Sequence, residues 1–158
     1  MNWPGRKNRT WWVVAVVAAG LGGLAYAGSG AGPRAAGQEV VVYRSPTCGC
    51  CEGWVAHLRS RGFQVVTRDV LDVGTIKARL GVPSPLVSCH TATVGGYVIE
   101  GHVPADLILR VLAEQPTMAG LAAPGMPGGS PGMENARKVP YNVIAFDATG
   151  GTSLYAKR

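Results

Sequence analysis

An α/β fold is the class this sequence predicts, and three observations predict it. Val40-Val41-Val42-Tyr43 is a near-continuous β-branched run, the pattern of a strand buried on both faces. Cys51, Trp54, Val55 and Leu58 then fall at helical spacing, within about 100° of one another around the axis. Between the two lies Ser45-Pro46-Thr47-Cys48-Gly49-Cys50-Cys51-Glu52, which places three of the chain's four cysteines within four positions.

Residues 1–27 read as an export signal: basic Arg6, Lys7 and Arg9, an apolar run from Trp11 to Tyr26, and an A-x-A site at Ala25-Tyr26-Ala27. The run contains Gly20, Gly22 and Gly23 and is shorter than the ~20 residues of a spanning helix, with an uncleaved anchor as the alternative. Residues 28–38 are a Gly/Ala-rich linker. A first strand begins at Glu39, and the helix from Cys51 to Arg61 is stopped by Gly62. Phe63 to Asp69 is a second strand, and Gly74 to Leu80 a short helix ended by Gly81 and Pro83. Thr91–Val94 and Tyr97–Ile99 flank Gly95-Gly96, a two-residue hairpin signal. Pro104 opens a last helix with Leu107, Ile108, Val111 and Leu112 on one face, and Pro116 closes it.

The order is βαβ, then a helix, then ββα, with a cysteine pair between the first strand and first helix. That is a thioredoxin-like topology over residues 39–115. Residues 116–140 change character: Ala119 to Met133 holds five Gly and three Pro among 15 residues, with Met126 and Met133, and reads as a long loop rather than a packed element. Residues 141–158 read as a C-terminal hairpin extension, Tyr141–Phe146 and Thr152–Tyr155 around the turn Asp147–Gly151.

Charge narrows the function. The formal net charge of +6 falls to +3 once Arg6, Lys7 and Arg9 are set aside, leaving 12 basic against 9 acidic residues. No basic stripe interleaved with aromatics remains, so nucleic acid is not an expected partner. No nucleotide loop, Ser/His/Asp set or paired-carboxylate site is present, which leaves hydrolase chemistry without residues to carry it.

The cysteines carry the chemistry. Cys48 and Cys51 have C-x-x-C spacing at a helix amino terminus, where unpaired N–H groups and the dipole favour thiolate. On the helical wheel Cys51 points to the core and Cys48 is the more exposed sulfur. Cys89-His90 comes 38 residues after Cys51, just ahead of the Thr91 strand. In the thioredoxin topology that loop lies against the C-x-x-C, so a fourth thiol and an imidazole would face the other three. Four sulfurs, an imidazole and nearby thioethers suit a soft d¹⁰ ion, Cu(I) or, in a Cys₃His tetrahedron, zinc. In an oxidising compartment the four thiols belong in disulfides or on metal. His102 reads as a cap or hydrogen-bonded core histidine with a ligand role as the alternative, and His57, on the flank of the first helix, as solvent-facing. Met126 and Met133 offer thioethers from their loop or merely plug a gap. Glu52 is a first-turn residue suited to the dipole.

Several separated motifs together resemble one known family. These are Val42-Tyr43-x-Ser45-Pro46-Thr47-Cys48-Gly49-Cys50-Cys51, Leu80-Gly81-Val82-Pro83, Ser88-Cys89-His90-Thr91, the run Gly96 to Pro104, and Gly120-Leu121-Ala122-x-Pro124-Gly125-Met126-Pro127 with Gly132-Met133. Their order and spacing are similar to those of the CopG-type periplasmic family, found with copper-resistance systems. The likeness runs from Val40 to Met133 and weakens beyond. It implies a thioredoxin-like fold, copper binding and a role in periplasmic copper handling, with Cys48, Cys50, Cys51 and Cys89 as copper thiolates and His90 and His102 as less certain neighbours.

The expectation is therefore a periplasmic copper-binding protein for copper tolerance, exchanging copper with other periplasmic copper-handling proteins, in which copper valence change couples to exchange between Cys48 and Cys51. Met126 joins the candidate ligand set with His90 and His102. Two alternatives stand beside it: a thiol–disulfide oxidoreductase acting on protein substrates, with Cys48 attacking and Cys51 resolving, and a zinc-stabilised structural module.

Overall fold

The computed structural model describes residues 37–158, so the expected export segment and most of the linker lie outside the described residues. Seven strands and three helices follow in the order β1 (Glu39–Arg44), α1 (Gly49–Ser60), β2 (Gln64–Asp69), α2 (Val73–Arg79), β3 (Thr91–Val94), β4 (Tyr97–Gly101), α3 (Ala105–Glu114), β5 (Gly120–Ala123), β6 (Asn142–Phe146) and β7 (Thr152–Lys157), with a short 3-10 turn at Ser84–Leu86. The strands form one mixed sheet in the order β2-β1-β3-β4-β5-β6-β7. β1 and β2 run parallel through α1, a βαβ unit, and β4 and β5 run parallel through α3. All other neighbours are antiparallel.

Local sequence accounts for most of these boundaries. Cys51, Trp54, Val55 and Leu58 are the buried residues of α1, as the apolar spacing requires. Gly62, at φ +89°, takes the chain out of that helix in a conformation that costs a side chain energy. Asp72 caps α2, its carboxylate accepting from the Thr75 backbone N–H at 3.1 Å. Gly95 and Gly96 both have positive φ, the backbone of the primed turn that joins β3 to β4 with Val94 opposite Tyr97.

The sheet is covered on both sides. Along β4, β5 and β6 successive residues alternate between two cores, as the pleat dictates. Ile99, Leu121 and Val143 join Trp54, Leu58, Ile108 and Val111 beneath α1 and α3. Val98, Ala122 and Phe146 face the other way, against Val82 and Leu86.

One expectation is corrected. Ala119–Met133 is not loop throughout, because Gly120–Ala123 forms strand β5, all four residues of it buried. A Cβ at Gly120 would collide with the Val98 carbonyl oxygen and lie 2.7 Å from the Phe146 ring. The smallness of the segment that resembled a loop is what lets it fit between β4 and β6. The β6–β7 hairpin accordingly continues the same sheet through β5.

Candidate metal centre

The four sulfurs meet where β1 hands over to α1. A turn after β1, closed by the Cys48 N–H to the Ser45 carbonyl at 3.1 Å, sets Cys48 at the N-cap of α1 with no side-chain cap bond. Arg44 holds the strand end, donating to Asp69 at 3.0 Å and Glu52 at 3.3 Å. One helical turn brings Cys51 back to Cys48, and the two are joined as a disulfide, with Cys51 fully buried. Cys50 and Cys89 are free thiols. Cys50 Sγ stands 3.5 Å from Cys48 Sγ and 3.7 Å from Cys89 Sγ, and Cys89 Sγ stands 3.8 Å from Cys51 Sγ.

Cys89 is delivered by the segment leading into β3, and two imidazoles converge on it. His102 follows β4 and places Nε2 3.0 Å from Cys89 Sγ, while His90 Nδ1 lies at 3.3 Å. His102 Nδ1 is 2.7 Å from the Pro131 carbonyl oxygen. A carbonyl only accepts, so the neutral ring carries its proton on Nδ1 and presents the Nε2 lone pair to the sulfur. His90 packs against the Trp54 ring with centroids 4.4 Å apart and meets His102 edge-on at 5.0 Å. Trp54 is itself fixed by its indole N–H to the Val103 carbonyl at 2.9 Å. Among the described residues His90 Nε2 is buried without a hydrogen-bond partner.

Electrostatics follow from burial. Loss of water pushes the Cys89 thiol up to about 12, and the neighbouring Cys50 sulfur adds to the effect. Burial likewise holds His90 down to about 3, with the neighbouring His102 ring and the Lys77 ammonium adding to the effect, and burial lowers His102. The histidines are thus neutral donors at physiological pH, the form that binds a metal.

This donor set fits a soft ion. The sulfurs of Cys48, Cys50, Cys51 and Cys89 lie within 4.8 Å of one another, and Cys89, His90 and His102 form a second such group sharing Cys89. Cys50 and Cys89 are free sulfurs beside two imidazoles and would bind a metal with loss of their protons, and opening the disulfide adds two more sulfurs. Met126 Sδ stands 3.9 Å from Cys50 Sγ with the residue about half exposed, a thioether at the rim. Met118 packs against the main core instead.

The structure corrects the reading of His57. It is half-buried rather than solvent-facing, and its Nε2 accepts the Ala105 backbone N–H at 3.2 Å, capping the start of α3. A wheel drawn for α1 alone cannot see a second helix arriving at its flank. Sequence reasoning missed three further contributors. Pro131 sets the His102 tautomer through its carbonyl. Glu100 and Lys77 form a buried ion pair at 2.6 Å, signalled only by an acidic residue on the apolar face that Val98 also occupies.

A family model described as "Protein of unknown function, DUF411" matches residues 86–133, the stretch holding Cys89, His90, His102 and Met126. No curated protein sequence matches the chain. Two solved structures are similar. One, titled copper resistance protein copG, form 2, is 42% identical, with a TM-score of 0.73 over 77% of this chain and 98% of that one. The other, form 1, is 42% identical, with a TM-score of 0.72 over 76% of this chain and 96% of that one. Identity at that level across nearly the whole of those chains places this protein in the family of the copper resistance protein CopG.

Proposed function

We propose that this protein binds copper in the periplasm and contributes to copper tolerance, with Cu(I) as the cargo. The reading rests on one observation above all: Cys89 Sγ lies within 3.8 Å of Cys50 and Cys51 sulfurs and 3.0 Å from His102 Nε2. Cys50, Cys89, His90 and His102 would hold the ion, with Cys48 and Cys51 joining when reduced and Met126 at the rim. The sequence resemblance and the copper-resistance titles of its relatives support copper over zinc. A thioredoxin-like reading of the β1–α1–β2 and β3–β4–α3 portions explains why the Cys89 loop faces the Cys48–Cys51 pair, and the export segment read at residues 1–27 supports the compartment. Among the described residues no helix is long and apolar enough to cross a membrane.

Redox coupling belongs to the same proposal. Closing the Cys48–Cys51 disulfide releases two electrons and two protons, the number that takes two Cu(II) to two Cu(I). Cys50 and Cys89 remain thiols in that state and keep donors at the site.

The test is metal analysis of anaerobically purified, copper-exposed protein, native against the Cys50→Ser/Cys89→Ser double variant. Loss of a partner outside the ligand set costs about 10–100-fold in metal affinity, so removal of two thiolates is expected to lower copper affinity by more than about a hundredfold. Full copper loading of the double variant would sink the proposal. The disulfide at the head of α1 favours one second reading, a thiol–disulfide oxidoreductase acting on proteins. That reading requires full insulin reduction by metal-stripped protein, whereas the copper reading does not.

A further inference from the structure

Beneath the sulfur centre lies the Lys77–Glu100 ion pair. Glu100 is fully buried and Lys77 is 5% exposed, with Nζ 2.6 Å from Oε1. A buried ion pair is weak evidence for stability, since well-packed apolar residues of similar volume often serve as well. The second bond made by the same oxygen gives the pair a purpose. Glu100 Oε1 also accepts the Ser88 backbone N–H, at 2.6 Å.

Ser88 precedes Cys89 directly and lies outside the named strands, in an isolated parallel bridge with Gly125 whose backbone bond, Gly125 N–H to the Val87 carbonyl, leaves the Ser88 amide to Glu100. The segment is otherwise tied at its far end, where the Gly101 N–H donates to the His90 carbonyl at 3.0 Å. The Ser88 hydroxyl donates to the Gly125 carbonyl, and the Gly125 N–H reaches the Val87 carbonyl at 3.4 Å, which links the Cys89 segment to the Met126 loop. Glu100 stands on β4, whose position is set by ladders on both sides. Lys77 comes from α2, anchored by its Asp72 cap.

We propose that Glu100, oriented by Lys77, is a positioning residue for the sulfur centre: its carboxylate fixes the Ser88 amide and thereby holds Cys89 in register with Cys50 and Cys51. The inference rests on the reading of Cys89 as a copper thiolate. It assigns α2 a task, the delivery of one ammonium group to the underside of the site. Glu100 touches no sulfur and acts only through the backbone.

Two double variants separate position from charge and from stability. Lys77→Met/Glu100→Gln removes both charges and keeps a side-chain oxygen for the Ser88 N–H. Lys77→Met/Glu100→Leu removes the charges and the oxygen together. The readouts use reduced, metal-free full-length protein: amide hydrogen exchange at Ser88, and the alkylation rate of Cys89 relative to Cys50 by peptide mass spectrometry. Loss of a bond to a buried charged acceptor moves such an opening equilibrium by about tenfold or more. In the leucine variant the Cys89-to-Cys50 rate ratio is expected to rise by about that factor while Ser88 protection falls. The glutamine variant is expected to restore both towards native values. A native ratio in the leucine variant overturns the proposal, as does a rise in which both thiols speed up together, the mark of general loosening. Should the leucine variant not fold, the native protein decides. Ser88 exchange slowed about a hundredfold relative to an open loop supports the proposal, and exchange at the open-loop rate overturns it.

Copper retention by native protein is measured alongside. If native protein holds no copper while Ser88 is protected, the copper reading fails and the positioning role survives. If copper is held while Ser88 exchanges freely, the positioning role alone fails.

Discussion

Replacing Gly53 by alanine sets two ordinary effects against each other, and the structure decides the sign. Gly53 lies inside α1, where alanine is favoured over glycine by about 1 kcal/mol on helix propensity alone. The added Cβ, however, would sit 2.7 Å from the Cα of Gly132 and 3.3 Å from its carbonyl oxygen. The contact is backbone against helix from both sides: a Cβ on Gly132, itself at φ +85°, would meet the Trp54 nitrogen at 2.6 Å and the Cys50 carbonyl at 2.7 Å. No flexible side chain is there to give way, so the loop must lift. Overpacking of this kind costs about 1–3 kcal/mol. Lifting the loop also draws the Pro131 carbonyl from His102 Nδ1, a bond worth about 1 kcal/mol. The net expectation for Gly53→Ala is a loss of roughly 1–3 kcal/mol, read as a fall in Tm of roughly 4–12 °C. Nitrogen-resolved NMR of His102 should show the loss of its fixed Nδ1–H tautomer. Gly49→Ala is the control, since nothing lies within 4 Å of a Cβ there, and it is expected to be neutral or slightly stabilising. A Gly53→Ala protein as stable as native, with an unchanged His102 signal, would refute the reasoning.

Acid should weaken the metal-free fold through its histidines. Burial is the first cause that lowers His57, His90 and His102, with His90 held at about 3. Folded values below the unfolded 6.5 mean that the unfolded chain takes up protons first as pH falls. Stability is therefore complete above about pH 6.5–7 and declines progressively below it; urea unfolding midpoints at pH 7.5, 6.5 and 5.5 should fall in that order, and a constant or rising midpoint counts against the buried-imidazole assignment. Gly120→Ala should unseat β5, because its Cβ would strike the Val98 carbonyl and crowd Phe146. Hydrogen exchange is expected to quicken in β5, β6 and β7 while β1, β2 and β3 keep their protection; unchanged exchange in the last three strands would show that the sheet tolerates the methyl group.

Local pattern was enough for α1, the β1–β2 pair, the Gly95-Gly96 hairpin and α3, because each rests on spacing or backbone conformation within a few residues. The sulfur cluster was legible too: three cysteines and a distant Cys89-His90 gave away their meeting once the element order was read. What a one-dimensional pattern does not carry is which neighbour arrives. β5 is a strand because β4 and β6 leave room for Gly120, Ala122 and Ala123 around the core residue Leu121, although the stretch around it has the composition of a loop. His57 is a cap because α3 begins beside it.

The sequence by itself determined which soft donor atoms this protein can offer, since a run of thiols has the same softness wherever it lies. Only the tertiary structure decided their roles. It brought His102 Nε2 to 3.0 Å from Cys89, aimed that ring through the Pro131 carbonyl, and set a buried carboxylate under the Ser88 amide. The physical reason is that tautomer, register and burial are properties of a contact between distant segments, and neither partner in such a contact encodes it alone.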